Sequence, residues 1–147
     1  MASFTLQGDV AAPVELVFDV LTDHRSYNKI TPLRASTLER EGEPDPNGVG
    51  CVRVLKLAGP PIREEVTEFE RPSRFAYKML SGAPVRSHTG TVELAPSANG
   101  TTLVWRVESI PSIPLPDAVW GGIMRQVVGQ LFRGVVKESE RRAGAAV

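Results

Sequence analysis

Residues 116–143, PDAVWGGIMRQVVGQLFRGVVKESERRA, predict one long helix that the rest of the chain must cover. Its apolar residues come in pairs about four residues apart, the spacing of one broad apolar face of an α-helix. These pairs are Val119/Trp120, Ile123/Met124, Val127/Val128, Leu131/Phe132 and Val135/Val136. Pro116 suits the first helical position, and Asp117 and Arg141 lie where a helix favours a negative and a positive charge. At about 1.5 Å per residue this helix extends roughly 40 Å, so it needs a large apolar partner.

A run of strands precedes this helix. From residue 33 to residue 110, β-branched and aromatic residues recur between short turn sequences, which predicts consecutive strands in an antiparallel meander. The predicted strands are 33–41, 50–57, 62–70, 74–81, 86–95 and 102–110. Residues 111–116 (PSIPLP) contain three prolines, which cannot continue a central strand, so we expect this segment to cross from the sheet to the helix.

The N-terminal segment predicts one more strand and one or two short helices. Residues 3–10 alternate apolar and polar side chains, as a half-buried strand does. Val14, Val17, Phe18 and Leu21 then follow Pro13 at the spacing of one helical face. Tyr27 and Ile30 predict a further turn that stops before Pro32. The chain is therefore predicted to be an α+β protein, a curved antiparallel sheet of about seven strands around a long C-terminal helix.

Composition narrows the class of protein. A chain of 147 residues fits one domain, which we place at 1–147. The 17 Lys and Arg residues balance 17 Asp and Glu residues, so no net charge attracts the chain to nucleic acid or to an anionic membrane. No long uncharged apolar run and no leader-type N-terminal segment is evident, so we expect no membrane insertion and a cytoplasmic location. The chain is expected to be a monomer or a homodimer.

Cofactor chemistry has little support in the sequence. Cys51 is the one cysteine, so we expect a buried, unreactive thiol rather than a disulfide or a zinc ligand. His24 and His88 are the two histidines, too few for a convincing metal site. Neither a phosphate-binding loop nor a recognisable nucleophile motif is present. The sequence therefore predicts no metal and no cofactor.

Four segments resemble the polyketide cyclase/dehydrase branch of the SRPBCC, or START-like, superfamily. They are FTLQGDVAAPVELVFDVLTDHRSYNKITP (4–32), NGVGCVRVLKL (47–57), ERPSRFAYKMLSGAP (70–84) and GTVELAPSANGTTLVWRVE (90–108). The resemblance implies the helix-grip fold, with an elongated cavity for a hydrophobic small molecule. Relatives often carry a tryptophan where this chain has Ile30. Because this fold supports carriers, hormone receptors and cyclases, it does not fix the function.

Strand alternation nominates side chains that face the cavity. In 74–81, Phe75, Tyr77 and Met79 share a face, and Trp105 lies on the inner face of its own strand. Counting back by twos from the core positions of 86–95 also places His88 and Arg86 inward. An imidazole and a guanidinium there would suit a phenol, enol or carboxylate oxygen. Alternatively, a bulge at Gly90 would turn both side chains to solvent.

Two further patterns remain open. Inward placement of Val66 would bring Glu64 and Glu68 with it, whereas inward Phe69 would select Glu65 and Thr67; a solvated face is expected for most of these charges. The long helix also carries Gly121, Gly122, Gly129 and Gly134. Glycine inside a helix costs about 0.5–1 kcal/mol relative to alanine, so the four glycines indicate room for a ligand, close backbone approach or simple tolerance.

Three functions are consistent with these patterns. The first is binding or carriage of a hydrophobic small molecule, aromatic, polyketide-like or lipid, between the sheet and the C-terminal helix. The candidate ligand-binding residues are Tyr27, Phe75, Tyr77, Met79, Arg86, His88, Trp105, Trp120, Met124 and Val128. The alternative is a polyketide cyclase/dehydratase-type enzyme, with His88 or Tyr77 moving a proton and Arg86 stabilising an oxyanion. A protein-interaction module, the third, would need a filled interior and an exposed apolar patch.

Overall fold

Seven strands and one long helix form most of the structure, a computed structural model that describes residues 1–145. The N-terminal elements are β1 (Ala2–Val10), α1 (Val14–Thr22), a 3₁₀ turn (His24–Ser26) and α2 (Tyr27–Ile30). The remaining strands are β2 (Ala35–Arg40), β3 (Val52–Lys56), β4 (Ile62–Glu70), β5 (Arg74–Ser81), β6 (Val85–Ser97) and β7 (Gly100–Pro111). The helix α3 (Asp117–Ala145) follows the proline-rich segment.

The strands form one antiparallel sheet in the order β1-β7-β6-β5-β4-β3-β2. Consecutive strands from β2 to β7 are neighbours, as short turns favour. β1 pairs with β7, so α1 and α2 lie within the connection between the two edge strands. The sheet curves around α3, which contacts β1, β7, α1 and α2. The predicted helix-grip arrangement is confirmed.

One row of α3 side chains faces the sheet. Trp120, Met124, Val128, Leu131 and Val135 are all buried, at intervals of three or four residues that keep them on one face. The flanking row is covered only in part, since Val119 and Ile123 remain 48% and 43% exposed. The buried face is therefore narrower than the paired pattern predicts near the start of the helix. Within residues 1–145, no helix has the apolar length needed to cross a membrane.

A bulge in β4 determines which acidic side chains face inward. Glu64 and Val66 are both buried. Thr67 is an extra β4 residue between Val66 and Glu68, whose partners on β5 are adjacent to each other. The alternation shifts at that point, so Phe69 also turns inward and its ring meets Phe18 of α1 edge to face, 5.1 Å between centroids. Each of the two arrangements that the sequence left open is thus correct only in part, because Val66 turns inward with Glu64 but without Glu68, and Phe69 turns inward without Thr67.

Candidate functional site

A cavity of about 280 Å³ lies between the curved sheet and α3. Its walls are mainly apolar side chains from β3, β4, β5 and α3, together with residues 31–33 after α2 and 82–84 before β6. This volume is at the lower end of the range of about 300–1000 Å³ typical of small-molecule sites. Three polar side chains with titratable groups interrupt the apolar lining: Glu64, Tyr77 and His88.

Cross-strand pairing places Glu64 and His88 beside further polar side chains on the inner face of the sheet. Arg53 of β3 pairs with Glu64 of β4, and Glu64 pairs in turn with Met79 of β5. On the other side, His88 of β6 pairs with Ser109 of β7. Cross-strand partners point to the same face, so the pairing brings together residues that are distant in sequence.

Arg53 and Glu64 form a buried ion pair. The guanidinium is fully buried, with Nε 2.9 Å and Nη2 2.7 Å from Oε1 of Glu64. Nε donates a hydrogen bond to that oxygen, whereas the angle at Nη2 does not meet hydrogen-bond geometry. Burial by itself would lower the pKa of Arg53, but the charge and hydrogen bond of Glu64, together with smaller contributions from Tyr27 and Tyr77, outweigh burial and raise it. Arg53 is therefore a permanent positive charge held inside the protein.

Aromatic rings surround the same guanidinium. Its central carbon lies 4.8 Å from the ring centroid of Tyr77, 5.2 Å from that of Tyr27 and 5.6 Å from that of Phe75. Cations are attracted to aromatic faces, most strongly where water is absent. The attraction of the guanidinium to these rings therefore offsets part of the hydration free energy that Arg53 loses on burial.

His24 also contacts the guanidinium of Arg53. Its Nε2 lies 3.0 Å from the carbonyl oxygen of Asn47 and must donate, so Nδ1 accepts from Nη1 of Arg53 at 3.4 Å. Burial, reinforced by the Arg53 charge, lowers the pKa of His24 to about 3. His24 is thus a neutral structural histidine that connects Arg53 to the loop between β2 and β3.

His88 presents a hydrogen-bond donor to the cavity. Ser109 Oγ accepts from Trp120 Nε1 at 2.8 Å and lies 3.0 Å from His88 Nδ1. The Trp120 indole can only donate, which leaves the Ser109 hydroxyl proton free to donate to Nδ1; in that arrangement the neutral His88 imidazole carries its proton on Nε2. Burial lowers the pKa of His88; nearby Glu64 opposes this change and Arg53 reinforces it. No described residue accepts from Nε2.

Tyr77 supplies a second protonated group. Its hydroxyl accepts a hydrogen bond from Trp105 Nε1 at 3.1 Å and keeps its own proton to donate. Burial, followed by the charge of Glu64, raises the pKa of Tyr77, so the phenol stays neutral. The Tyr77 ring lies across Gly90 of β6, where an added Cβ would overlap ring atoms. Gly90 therefore makes room for the Tyr77 ring, and it is not the site of a bulge.

The sequence-predicted residues fall into three groups. Tyr77, Met79, His88, Trp120, Met124 and Val128 line the cavity. Tyr27, Phe75 and Trp105 are fully buried but lie outside the lining. Arg86 is exposed. The binding roles assigned to the lining residues stay predictions.

The expected inward orientation of Arg86 is wrong. Val85 pairs with Pro111 and Ser87 with Ile110, so Arg86 is an extra residue in β6 with no partner in β7. This bulge inverts the alternation between Arg86 and His88, and turns the guanidinium to solvent while the imidazole stays inside. The anticipated bulge at Gly90 does not occur, since Gly90 pairs regularly with Tyr77 and Val107.

Sequence reasoning missed the buried charge pair. Arg53 lies two residues from both Cys51 and Leu55, and all three side chains are buried. The alternation of Cys51, Arg53 and Leu55 could have indicated that Arg53 faces inward. Val52 is also buried, however, so the segment does not alternate cleanly between buried and exposed residues. Cys51 is buried as expected, and burial raises the pKa of its thiol to about 11.

The α3 glycines do not create the cavity. None of the four lines it. Gly134 has a different reason: an added Cβ would collide with the Ile30 carbonyl and lie 2.9 Å from Cγ2 of Thr31. Gly122, by contrast, faces open space. Close approach of α2 to α3 explains Gly134 alone, and nothing in the described structure requires Gly122.

Comparisons with known proteins agree with this architecture. A family model described as polyketide cyclase/dehydrase and lipid transport matches residues 1–144. A search of curated protein sequences finds no match. Among solved structures, a START superfamily protein from Mycobacterium smegmatis has a TM-score of 0.78 and 13% identity, over 99% of this chain and 98% of its own. XoxI from Bacillus cereus has a TM-score of 0.75 and 16% identity, over 95% and 96%.

A third similar structure is the di-domain ARO/CYC StfQ from the steffimycin biosynthetic pathway. It has a TM-score of 0.77 and 17% identity, covering 97% of this chain and 52% of StfQ. At such identities these likenesses show a shared fold and carry no residue roles across.

Proposed function

Because the chain belongs to the polyketide cyclase/dehydrase and lipid transport family, we propose that it binds and carries a hydrophobic small molecule between the sheet and α3. The observation that supports this most directly is the cavity of about 280 Å³ with its largely apolar lining. Apolar surface contributes about 25 cal/mol for each Å² removed from water. A ligand that fills this space would therefore gain most of its binding free energy from burial.

The position of the cavity supports entry from one end of α3. Trp120, Met124 and Val128 form its helical wall, and Ile123 lines it while remaining 43% exposed. Residues 31–33 and 82–84 complete the rim. A ligand would thus enter beside the first half of α3, where the flanking apolar row is not covered by the sheet.

Thermal denaturation with a panel of lipids and polyphenols tests the proposal, because a ligand that binds only the native state raises Tm. Val128→Trp should fill the cavity and abolish the Tm shift. Val119→Trp is the matched control, since Val119 is on the same helix but outside the lining. The proposal fails if no compound shifts the wild-type Tm, or if Val128→Trp responds like wild type.

A second candidate is an enzyme of the polyketide cyclase/dehydratase type that uses the same cavity. The observation favouring it is that His88 and Tyr77, each able to exchange a proton, line an otherwise apolar space. In a dehydration, a base would take the proton next to a carbonyl, and the hydroxyl would leave as water with a proton from an acid. Arg86 has no part in this chemistry because its side chain is exposed.

The enzyme candidate makes a separate prediction. His88→Ala and Tyr77→Phe should each lower turnover of a β-hydroxyketone polyketide analogue about a hundredfold or more, with little loss of binding. Met79→Leu is the control, because it changes the lining without removing a proton-transfer group. Equal turnover in all three variants would exclude these roles.

A further inference from the structure

One oxygen of Glu64 is available to a ligand. Oε1 takes both close contacts with Arg53, whereas Oε2 receives no hydrogen bond from residues 1–145. Glu64 lines the cavity and is 5% exposed. Oε2 is reachable from the cavity rather than sealed in the core, so a ligand hydroxyl that donates to it in this largely apolar space would gain more than the same bond would give in water.

The charge of the lining disfavours anionic ligands. Among the described residues that line the cavity, Glu64 is the only one with a charged side chain. Arg53 lies behind Glu64, outside the lining, so the carboxylate end of the ion pair is the end that faces the cavity. A ligand carboxylate would therefore meet a like charge, with no free cation to compensate it, in a poorly solvated space.

The other two titratable side chains of the lining can both donate. With Ser109 donating to Nδ1, His88 carries a free proton on Nε2, and the Tyr77 hydroxyl keeps a proton after accepting from Trp105. Both side chains line the same cavity as Glu64. The site thus presents one strong acceptor and two neutral donors, a set that matches a hydroxyl together with a carbonyl or a second hydroxyl oxygen.

We propose that the cavity selects neutral, hydroxyl-bearing ligands over carboxylates of the same apolar skeleton, with Glu64 accepting from the ligand hydroxyl. This inference rests on the proposed function and narrows it. It assigns Glu64 a specificity role in addition to its ion pair with Arg53. Among apolar metabolites, phenols and hydroxyketones fit the site and free fatty acids do not.

The test compares three probes of one skeleton: naphthalene, naphthol and naphthoate. Calorimetry with the full chain at about pH 8 should show naphthol binding at least about tenfold more tightly than naphthoate, with naphthalene between them. If naphthoate equals or exceeds naphthol while naphthalene still binds, this inference is overturned and the proposed function stands. If none of the three binds, both are overturned for ligands of this size.

Glu64→Gln then assigns the preference to the carboxylate. The amide can still accept from Arg53, but the negative charge is gone, so naphthoate should gain about tenfold or more over naphthol relative to wild type. Glu65→Gln, which neutralises a carboxylate on the same strand outside the lining, should leave the preference unchanged. Unchanged selectivity in folded Glu64→Gln contradicts the role of Glu64.

A pH titration of the wild-type protein gives an independent measurement if Glu64→Gln does not fold. Affinity for total naphthoate should rise as the pH falls from about 8 to about 5.5, because only the uncharged acid is accepted. Affinity for naphthol should stay nearly constant over the same range. A flat profile for naphthoate would overturn the inference without any variant.

Discussion

The guanidinium of Arg53 and the carboxylate of Glu64 form an ion pair inside the protein, on facing positions of β3 and β4, with Nε 2.9 Å from Oε1. Arg53 is completely buried, and Glu64 lies between it and the cavity. Among the described residues that line the cavity, Glu64 is the one with a charged side chain, and the ion pair connects it to the aromatic residues around Arg53. Removing either partner should affect both stability and binding.

Glu64→Leu should destabilise the protein by about 3–5 kcal/mol, because it leaves the Arg53 charge buried without a partner. The double variant Arg53→Met/Glu64→Leu should regain much of that loss, since no unpaired charge remains. Urea denaturation measures both. The control is Glu39→Gln, which breaks the exposed pair with Arg63 and should leave stability nearly unchanged because water screens that pair. Equal losses for the buried and exposed pairs would contradict this account.

Gly90→Ala should destabilise the protein by about 1–3 kcal/mol, because the new Cβ overlaps the Tyr77 ring and forces it to move. The matched control is Gly122→Ala, at a helical glycine that faces open space. That substitution should stabilise the protein by about 0.5–1 kcal/mol through helix propensity. Thermal denaturation should give opposite signs for the two variants, and the same sign would show that Tyr77 is not constrained by Gly90.

Ser109→Ala should cost about 1–3 kcal/mol, because it removes the acceptor of the buried Trp120 indole and the partner of His88 Nδ1. Ser139→Ala is the control: Ser139 is equally buried, but its hydroxyl only bonds the Val135 carbonyl within α3. Chemical denaturation gives the stability difference, and fluorescence in a Trp105→Phe background, where Trp120 is the remaining tryptophan, reports the local change. Comparable losses at both serines would argue against the network around Ser109.

Acid should destabilise the protein through His24. Its pKa is about 3 in the folded state against 6.5 as a model value, so between these values the unfolded chain binds one more proton. Stability is therefore lost as the pH falls below about 6.5, by up to about 1.4 kcal/mol for each pH unit. His88 contributes with the same sign because burial lowers its pKa too.

His24→Gln isolates this contribution when unfolding is measured from about pH 7 to about pH 4.5. Measurements above about pH 4.5 are the most informative for His24. Below that pH, protonation of Glu138, whose pKa is lowered from 4.5 to about 2, removes further stability. The variant should show a shallower pH dependence than wild type. His88→Gln serves as the comparison, and a wild-type slope in His24→Gln would refute the assignment.

Local patterns were sufficient for the elements and for part of the site. The apolar spacing of 116–143 predicted α3, and alternation in β5 placed Tyr77 and Met79 on the inner face where the cavity lies. The same alternation failed at Arg86, which is the extra residue of a bulge. Alternation also left the orientation of Glu64 undecided. A second bulge, in β4, places both Val66 and Phe69 on the inner face, so neither of the two predicted patterns holds along the whole strand.

The order of elements, the apolar face of α3 and the alternation within each unbroken strand could all be predicted from local sequence. Each depends on residues close together along the chain, whose periodicity is fixed by backbone geometry. The folded sheet was needed to show that Arg53 meets Glu64, that His88 faces inward while Arg86 does not, and that Tyr77 lies over Gly90. These outcomes depend on cross-strand register, and one extra residue in a strand reverses every later side chain until the pairing is restored.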